Sequence, residues 1–69
     1  MAYRLIDTPD NADPSVEDFA NIDLAAKRAA TIIRYSEPDW AEANIVDLLK
    51  AGKVLTYHDY SEIRIVEVK

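Results

Sequence analysis

SEPDWAEANIVDLLKAGK, residues Ser36–Lys53, contains both the start and the stop signals of a helix. Ser36 can cap the N-terminus, and Pro38 suits the first turn because its missing N–H would have no partner there. Gly52 is the only glycine of the chain and stands where a left-handed C-cap is needed. We therefore expect a helix that ends near Ala51. Its apolar face is formed by Ala41, Ile45, Leu48 and Leu49.

A longer helix is predicted upstream of this one. Asp13 can cap it with Pro14 in the first turn, or Ser15 can cap it with Asp18 in a variant of the capping box. Apolar residues then recur at three- and four-residue steps, as on one face of a helix: Val16, Phe19, Ile22, Ala26, Ala29 or Ala30, and Ile33. Leu24 and Ile32 lie outside this apolar face. Either the helix is covered on two sides or it breaks near Asp23.

Three segments have the composition of strands. Residues Ala2–Ile6 alternate and carry Tyr, Leu and Ile, and two prolines then mark a connection. Residues Val54–His58 and Ile63–Val68 are β-rich, and Asp59–Glu62 separates them by the length of a hairpin turn. The expected fold is a single α+β domain over residues 1–69 in the order β-α-α-β-β. Two helices would pack on one face of a three-stranded, mainly antiparallel sheet.

The last strand predicts self-association. Its apolar residues, Ile63, Ile65, Val66 and Val68, are too many for a strand at a solvated edge. A three-stranded sheet has two edges, and an open edge favours pairing with another chain. We expect a homodimer or a stable complex, formed by strand addition or through the helices.

Composition excludes several activities. The chain has 69 residues, no cysteine and a net charge of −5, so disulfides and thiolate zinc sites are not expected. The negative charge disfavours direct binding to nucleic acid or to an anionic membrane. No apolar run reaches the length of a membrane span or of a signal peptide. We expect a soluble, cytoplasmic protein.

Catalysis and metal binding have little support. His58 is the only histidine and is predicted next to a turn, and one glycine cannot build a phosphate loop. A calcium loop forced onto Asp7–Asp18 would have Pro9 at a ligand position and Ala12 in place of the required glycine. We predict no enzyme activity, no cofactor and no metal.

Acidic residues are concentrated in two places. The first lies between Arg4 and Lys27, where no basic residue occurs, and comprises Asp7, Asp10, Asp13, Glu17, Asp18 and Asp23. The second is the start of the second helix, with Glu37, Asp39 and Glu42. Helix capping explains several of these acids without any function. The alternative is an acidic surface that attracts a basic partner and could imitate a nucleic-acid backbone.

Aromatic residues complete the predicted interaction surface. Trp40, Tyr57 and Tyr60 could anchor a partner, as Trp and Tyr do in interface hot spots, although Trp40 could equally lie in the core. The sequence therefore predicts a small acidic regulator or inhibitor that binds another protein. Small inhibitors made by phages or mobile elements against basic nucleic-acid-handling enzymes share this size and charge.

Two other functions remain open at this point. One is a structural subunit that forms a homo-oligomer. The other is an acidic regulator with a winged-helix-like fold, because helix, helix and hairpin also describe the latter part of that fold. Its second helix would have to enter the major groove of DNA, yet the N-terminal half of that helix carries Glu37, Asp39 and Glu42 and no basic residue.

Overall fold

The computed structural model describes residues 2–68 as two helices packed on a four-stranded sheet. In chain order the elements are β1 (Ala2–Thr8), β2 (Ser15–Phe19), α1 (Ile22–Ser36), α2 (Glu42–Lys50), β3 (Leu55–Tyr57) and β4 (Ser61–Val68). The strands are antiparallel in the order β2-β1-β4-β3. The predicted α+β class with two helices is confirmed. The predicted strand number was wrong, because the sheet has four strands and not three.

Residues Ser15–Phe19 form the additional strand, where a helix start was predicted. The strand pairs with β1 so that Phe19 lies opposite Tyr3 and Val16 opposite Ile6. All five residues of this strand pair with β1, so their contributions add along the strand, whereas the capping pattern would stabilise only the first turn of a helix. The chain returns through Pro9 and Pro14, and a proline is tolerated directly before an edge strand.

Helix α1 begins only after this strand. The side chain of Asn21 caps it, with Oδ1 accepting a hydrogen bond of 2.9 Å from the backbone N–H of Leu24. Asp13 and Ser15 therefore cap no helix. The predicted apolar stripe is found from Ile22 onward, since Ala26, Ala29, Ala30 and Ile33 are all buried.

Helix α2 begins later than the sequence predicted. Ser36 is the last residue of α1 and not a cap of α2. Residues 37–40 form a turn in which Trp40 N–H donates to the carbonyl of Glu37 at 3.1 Å. Pro38 occupies the second position of this turn, which its fixed φ favours, so it is not the first residue of a helix. Neither helix of residues 2–68 is long and apolar enough to cross a bilayer.

The end of α2 is as predicted. Gly52 has φ of +85°, and its N–H donates to Leu49 while Lys53 N–H donates to Leu48. These two bonds define a Schellman motif, which satisfies the last carbonyls of the helix. On the predicted apolar face, Ile45 and Leu49 are buried. Leu48 is 43% exposed, because it faces away from the sheet into a groove.

The turn of the C-terminal hairpin is shorter than predicted. His58, Asp59 and Tyr60 form the turn, and Ser61 already belongs to β4. His58 and Asp59 have φ of 46° and 69°, a region that His and Asp enter more readily than most residues. The carbonyl of His58 accepts from Tyr60 N–H at 2.9 Å, which closes a γ-turn around Asp59.

Two substitutions distinguish the observed helix start from the predicted one. Asn21→Ala removes the capping bond of α1 and should lower the free energy of unfolding by about 1 kcal/mol. Ser15→Ala, at an exposed strand position, should change it by less than about 0.5 kcal/mol. Urea unfolding monitored by circular dichroism measures both. A larger loss in Ser15→Ala than in Asn21→Ala would mean that the helix begins at Ser15.

Candidate protein-interaction site

Three connections meet at one end of the sheet. They are the β1–β2 loop (residues 9–14), the α1–α2 connection (residues 37–41) and the β3–β4 turn (residues 58–60). The backbone N–H of Asp10 donates to Ser61 Oγ at 3.1 Å, which joins the first loop to β4. The backbone N–H of His58 donates to Glu37 Oε1 at 3.3 Å, which joins the turn to the helix connection. We call this region the acidic end.

Seven carboxylates lie at the acidic end: Asp10, Asp13, Glu37, Asp39, Glu42, Asp59 and Glu62. Within residues 2–68, none of the seven forms an ion pair with a basic side chain. Helix α1 ends here and helix α2 begins here, so the negative pole of one dipole and the positive pole of the other oppose each other, and the carboxylates themselves determine the sign of the field. Arg34 in the last turn of α1 is the one basic residue that this helix brings to the acidic end. The result is a concentrated negative potential at one end of the molecule.

The acids elsewhere on the predicted surface are paired within the chain. Arg4 binds Asp18 through two hydrogen bonds of 2.8 and 3.1 Å. Lys50 Nζ lies 2.7 Å from Asp23 Oδ1, and Arg28 Nε lies 3.5 Å from Glu17 Oε1. The hydrogen bond from Arg4 lowers the pKa of Asp18, and the one from Lys50 lowers the pKa of Asp23. These three carboxylates therefore already have basic partners within the chain and contribute less to attracting a second protein.

Asp7 and Tyr57 have a structural role in this structure. Tyr57 was predicted as a partner contact, but it is only 7% exposed and belongs to the core. Its hydroxyl donates a hydrogen bond of 2.6 Å to Asp7 Oδ1. Burial raises the pKa of the Tyr57 phenol, and the hydrogen bond to Asp7 raises it further. The pair links β3 to β1 on the helix side of the sheet, so a partner has no direct access to Tyr57.

Exposed aromatic side chains border the acidic end. Tyr35 is 92% exposed at the end of α1, and Tyr60 is 77% exposed in the hairpin turn. Trp40 is 36% exposed and lines a groove of about 440 Å³. Apolar residues form most of the groove, namely Trp40, Ala41, Ile45, Leu48 and Leu55, and Asp39 and Asn44 also line it. Trp and Tyr are enriched in interface hot spots.

His58 and Ser61 also lie at the acidic end. His58 is exposed in the turn, and its backbone N–H, not its ring, makes the contact to Glu37. The hydroxyl of Ser61 is buried and accepts from Asp10. Within residues 2–68, no three potential metal-ligating side chains converge on one point. The carboxylates are spread over the surface, as suits a broad contact.

The structure thus divides the predicted site residues into two sets. It brings Asp10, Asp13, Glu37, Asp39, Glu42, Trp40 and Tyr60 together. It places Asp7, Glu17, Asp18, Asp23 and Tyr57 in internal contacts. Three residues in or beside the acidic end were not predicted from the sequence: Tyr35, Asp59 and Glu62. The antiparallel pairing of β1 with β4 would have identified Asp59 and Glu62, because it places Glu62 opposite Thr8 and the turn beside the β1–β2 loop.

Comparisons with known proteins find no family model, no curated protein and no solved structure that matches this chain.

The Tyr57–Asp7 contact predicts a measurable dependence of stability on pH. Tyr57→Phe should lower the free energy of unfolding at pH 7 by about 1 kcal/mol, because Asp7 loses its donor. In the wild-type protein, the unfolded state releases the phenolic proton near its ordinary pKa of about 10 while the folded state retains it. The stability that Tyr57 contributes is therefore full below about pH 10 and falls as the pH rises above that value.

Urea unfolding of both proteins between pH 7 and pH 11 measures this difference. The gap in stability between wild type and Tyr57→Phe should narrow above about pH 10. Tyr60→Phe retains the buried phenol and serves as the control, so its stability should follow that of the wild type. A gap that is constant over the whole range would contradict a buried, hydrogen-bonded Tyr57.

Proposed function

We propose that this protein is a non-enzymatic regulator or inhibitor that binds another protein through the acidic end. The observation that carries the proposal is that seven acids without ion-pair partners lie together at one end of residues 2–68. Among residues 2–68, Glu17, Asp18 and Asp23 have basic partners within the chain, whereas the seven acids of the acidic end form no ion pairs. A basic surface of another protein can supply the missing positive charge.

The negative field acts first on the rate of association. Charges gathered on one face steer a partner of opposite sign toward that face and raise the association rate. Salt screens this attraction over a Debye length of about 8 Å at physiological ionic strength. A steered inhibitor therefore binds more slowly as salt rises, whereas a purely structural subunit held by apolar contacts does not.

The exposed aromatic residues then supply contact area. Tyr35 and Tyr60 project from two different elements at the acidic end, and Trp40 lies in the apolar groove beside Asp39. A few anchor residues, often Trp, Tyr or Arg, account for most of the binding energy in many interfaces. A basic partner segment with an apolar side chain fits both parts of this surface.

The partner class follows from the sign and distribution of the charges. Basic grooves of enzymes that handle nucleic acids are built to bind rows of negative charge. The seven acids of the acidic end come from three connections and the ends of the adjoining elements, so they form a broad negative surface that could occupy such a groove. No observation favours the winged-helix alternative, because the first turn of α2 carries Glu42 and would repel DNA.

Two pairs of substitutions with the same net charge test the proposal. Asp39→Asn with Glu42→Gln removes two charges from the acidic end. Asp47→Asn with Glu67→Gln removes two charges from other exposed positions. The first test uses a synthetic arginine-rich peptide without aromatic residues, so that Trp40, the only tryptophan, reports binding by fluorescence.

The acidic-end pair should bind the peptide roughly threefold to thirtyfold more weakly at low salt, since each exposed charge contact is worth up to about 1 kcal/mol. The control pair should bind like the wild type. Equal weakening in both pairs would mean that only total charge matters, and the acidic end would lose its role.

Affinity capture from the native cell applies the same variants to natural partners. A regulator of the proposed kind retains a partner that is lost with the acidic-end pair and kept with the control pair, and excess duplex DNA should compete with the protein for that partner. Direct binding of the protein to duplex DNA at physiological salt would contradict the proposal and favour the winged-helix alternative.

A further inference from the structure

One face of the sheet is not covered by either helix. The helix side is defined by Leu5, Ile63 and Ile65, which are buried in the core. Residues alternate between the two faces along a strand, and the register then places the remaining residues on the other side. We call this side the open face. It consists of Ala2, Arg4, Ile6 and Thr8 on β1, Val16 and Asp18 on β2, Thr56 on β3, and Glu62, Arg64, Val66 and Val68 on β4.

The open face is more apolar than a solvated sheet face should be. Antiparallel sheets with one face in water normally carry polar residues at the outward positions. Here Val66 and Val68 occupy outward positions of β4, and Ile6 and Val16 lie side by side on β1 and β2. Val16 on β2 and Val54, which precedes β3 at the other edge, are exposed, and Val54 lines a depression together with Ile6 and Arg64.

The open face is also electrically neutral. Its four charged residues are Arg4, Asp18, Glu62 and Arg64, so the two charges of each sign cancel. The net charge of −5 therefore belongs to the rest of the chain. Two copies of this protein repel each other through the acidic end, but they can bring their open faces together without that repulsion.

We propose that a second copy of the chain covers the open face, so that the protein forms a two-fold dimer with its two sheets packed face to face. The outermost dimensions are 31 × 27 × 16 Å, and the shortest is the thickness of one sheet and one helix layer. Four strands spaced about 4.8 Å apart, the longest of eight residues, give the open face at most about 500 Å² of flat area, which suits a small interface of weak affinity. Across such an interface, Arg64 of one copy can pair with Glu62 of the other, and the two-fold axis repeats this contact.

This dimer does not depend on the function proposed for the acidic end. The helices lie on the outside of the paired sheets, so the acidic ends stay accessible except at Glu62, which belongs to both the acidic end and the open face. A short chain is stabilised when a second copy buries an apolar face that its own helices leave exposed. Peptide binding at the acidic end can therefore be measured independently, including in variants that no longer dimerise.

Sedimentation equilibrium with matched variants tests the proposal. The wild-type protein should be a dimer at roughly 100 μM, within the micromolar range typical of weak specific association. Val66→Lys puts a charge in the centre of the open face and should weaken the dimer at least tenfold, because that charge would be buried without a partner. Leu48→Lys places the same charge on an exposed leucine of α2 and should leave the dimer intact.

A second measurement needs no substitution and stays valid if Val66→Lys fails to fold. A soluble paramagnetic agent broadens methyl signals that it can reach. At high protein concentration, the methyl groups of Ile6, Val16 and Val66 should become protected, whereas those of Leu24 and Leu48 should stay accessible. On dilution the protection should disappear.

Three results would overturn the proposal. A wild-type monomer at all concentrations would leave the open face without a second copy. Dissociation by Leu48→Lys but not by Val66→Lys would place the interface at the Trp40 groove. Methyl groups of the open face that remain accessible in a proven dimer would place the interface elsewhere.

Discussion

The close packing of α1 against the middle of the sheet is the constraint on which the other features depend. Ala25, Ala26, Ala29 and Ala30 are completely or almost completely buried, and their small side chains let the helix approach both the strands and α2. Larger side chains at these positions would force the layers apart. Because α1 contacts β1, β2, β4 and α2, its position also determines where the connections lie. The acidic end is therefore a consequence of core packing.

Local signals predicted those parts of the fold that local forces determine. Gly52 ends α2 because a left-handed residue is required there, and the apolar stripe of α1 follows helical periodicity. The strand at Ser15–Phe19 could not be predicted from local signals. Val16 and Phe19 are three residues apart, which is a helical spacing, and Ser15 with Asp18 imitates a capping box. Non-local pairing with β1, including the Arg4–Asp18 bond, determined the outcome.

The same distinction applies to the candidate site. Composition identified the acids, but it could not show which of them are neutralised within the chain. Asp18 and Asp23 meet Arg4 and Lys50 only in the folded protein, and these partners are 14 and 27 residues away in sequence. Tyr57 was expected at the surface because it flanks a turn, yet the strand pleat directs its ring into the core, where its hydroxyl meets Asp7. The direction of its side chain thus determined that Tyr57 lies in the core and not at the surface.

The two outer strands have a further consequence for the behaviour of the protein in a crowded solution. β3 has only three residues, so it offers very few unpaired backbone groups as a template for another chain. β2 is longer but carries the charged side chains of Glu17 and Asp18, and charged residues on an edge strand discourage pairing with another chain. Lateral growth of the sheet into amyloid-like fibrils is disfavoured at both sides, which lets an aggregation-resistant chain carry an apolar surface without cysteine cross-links or a larger core.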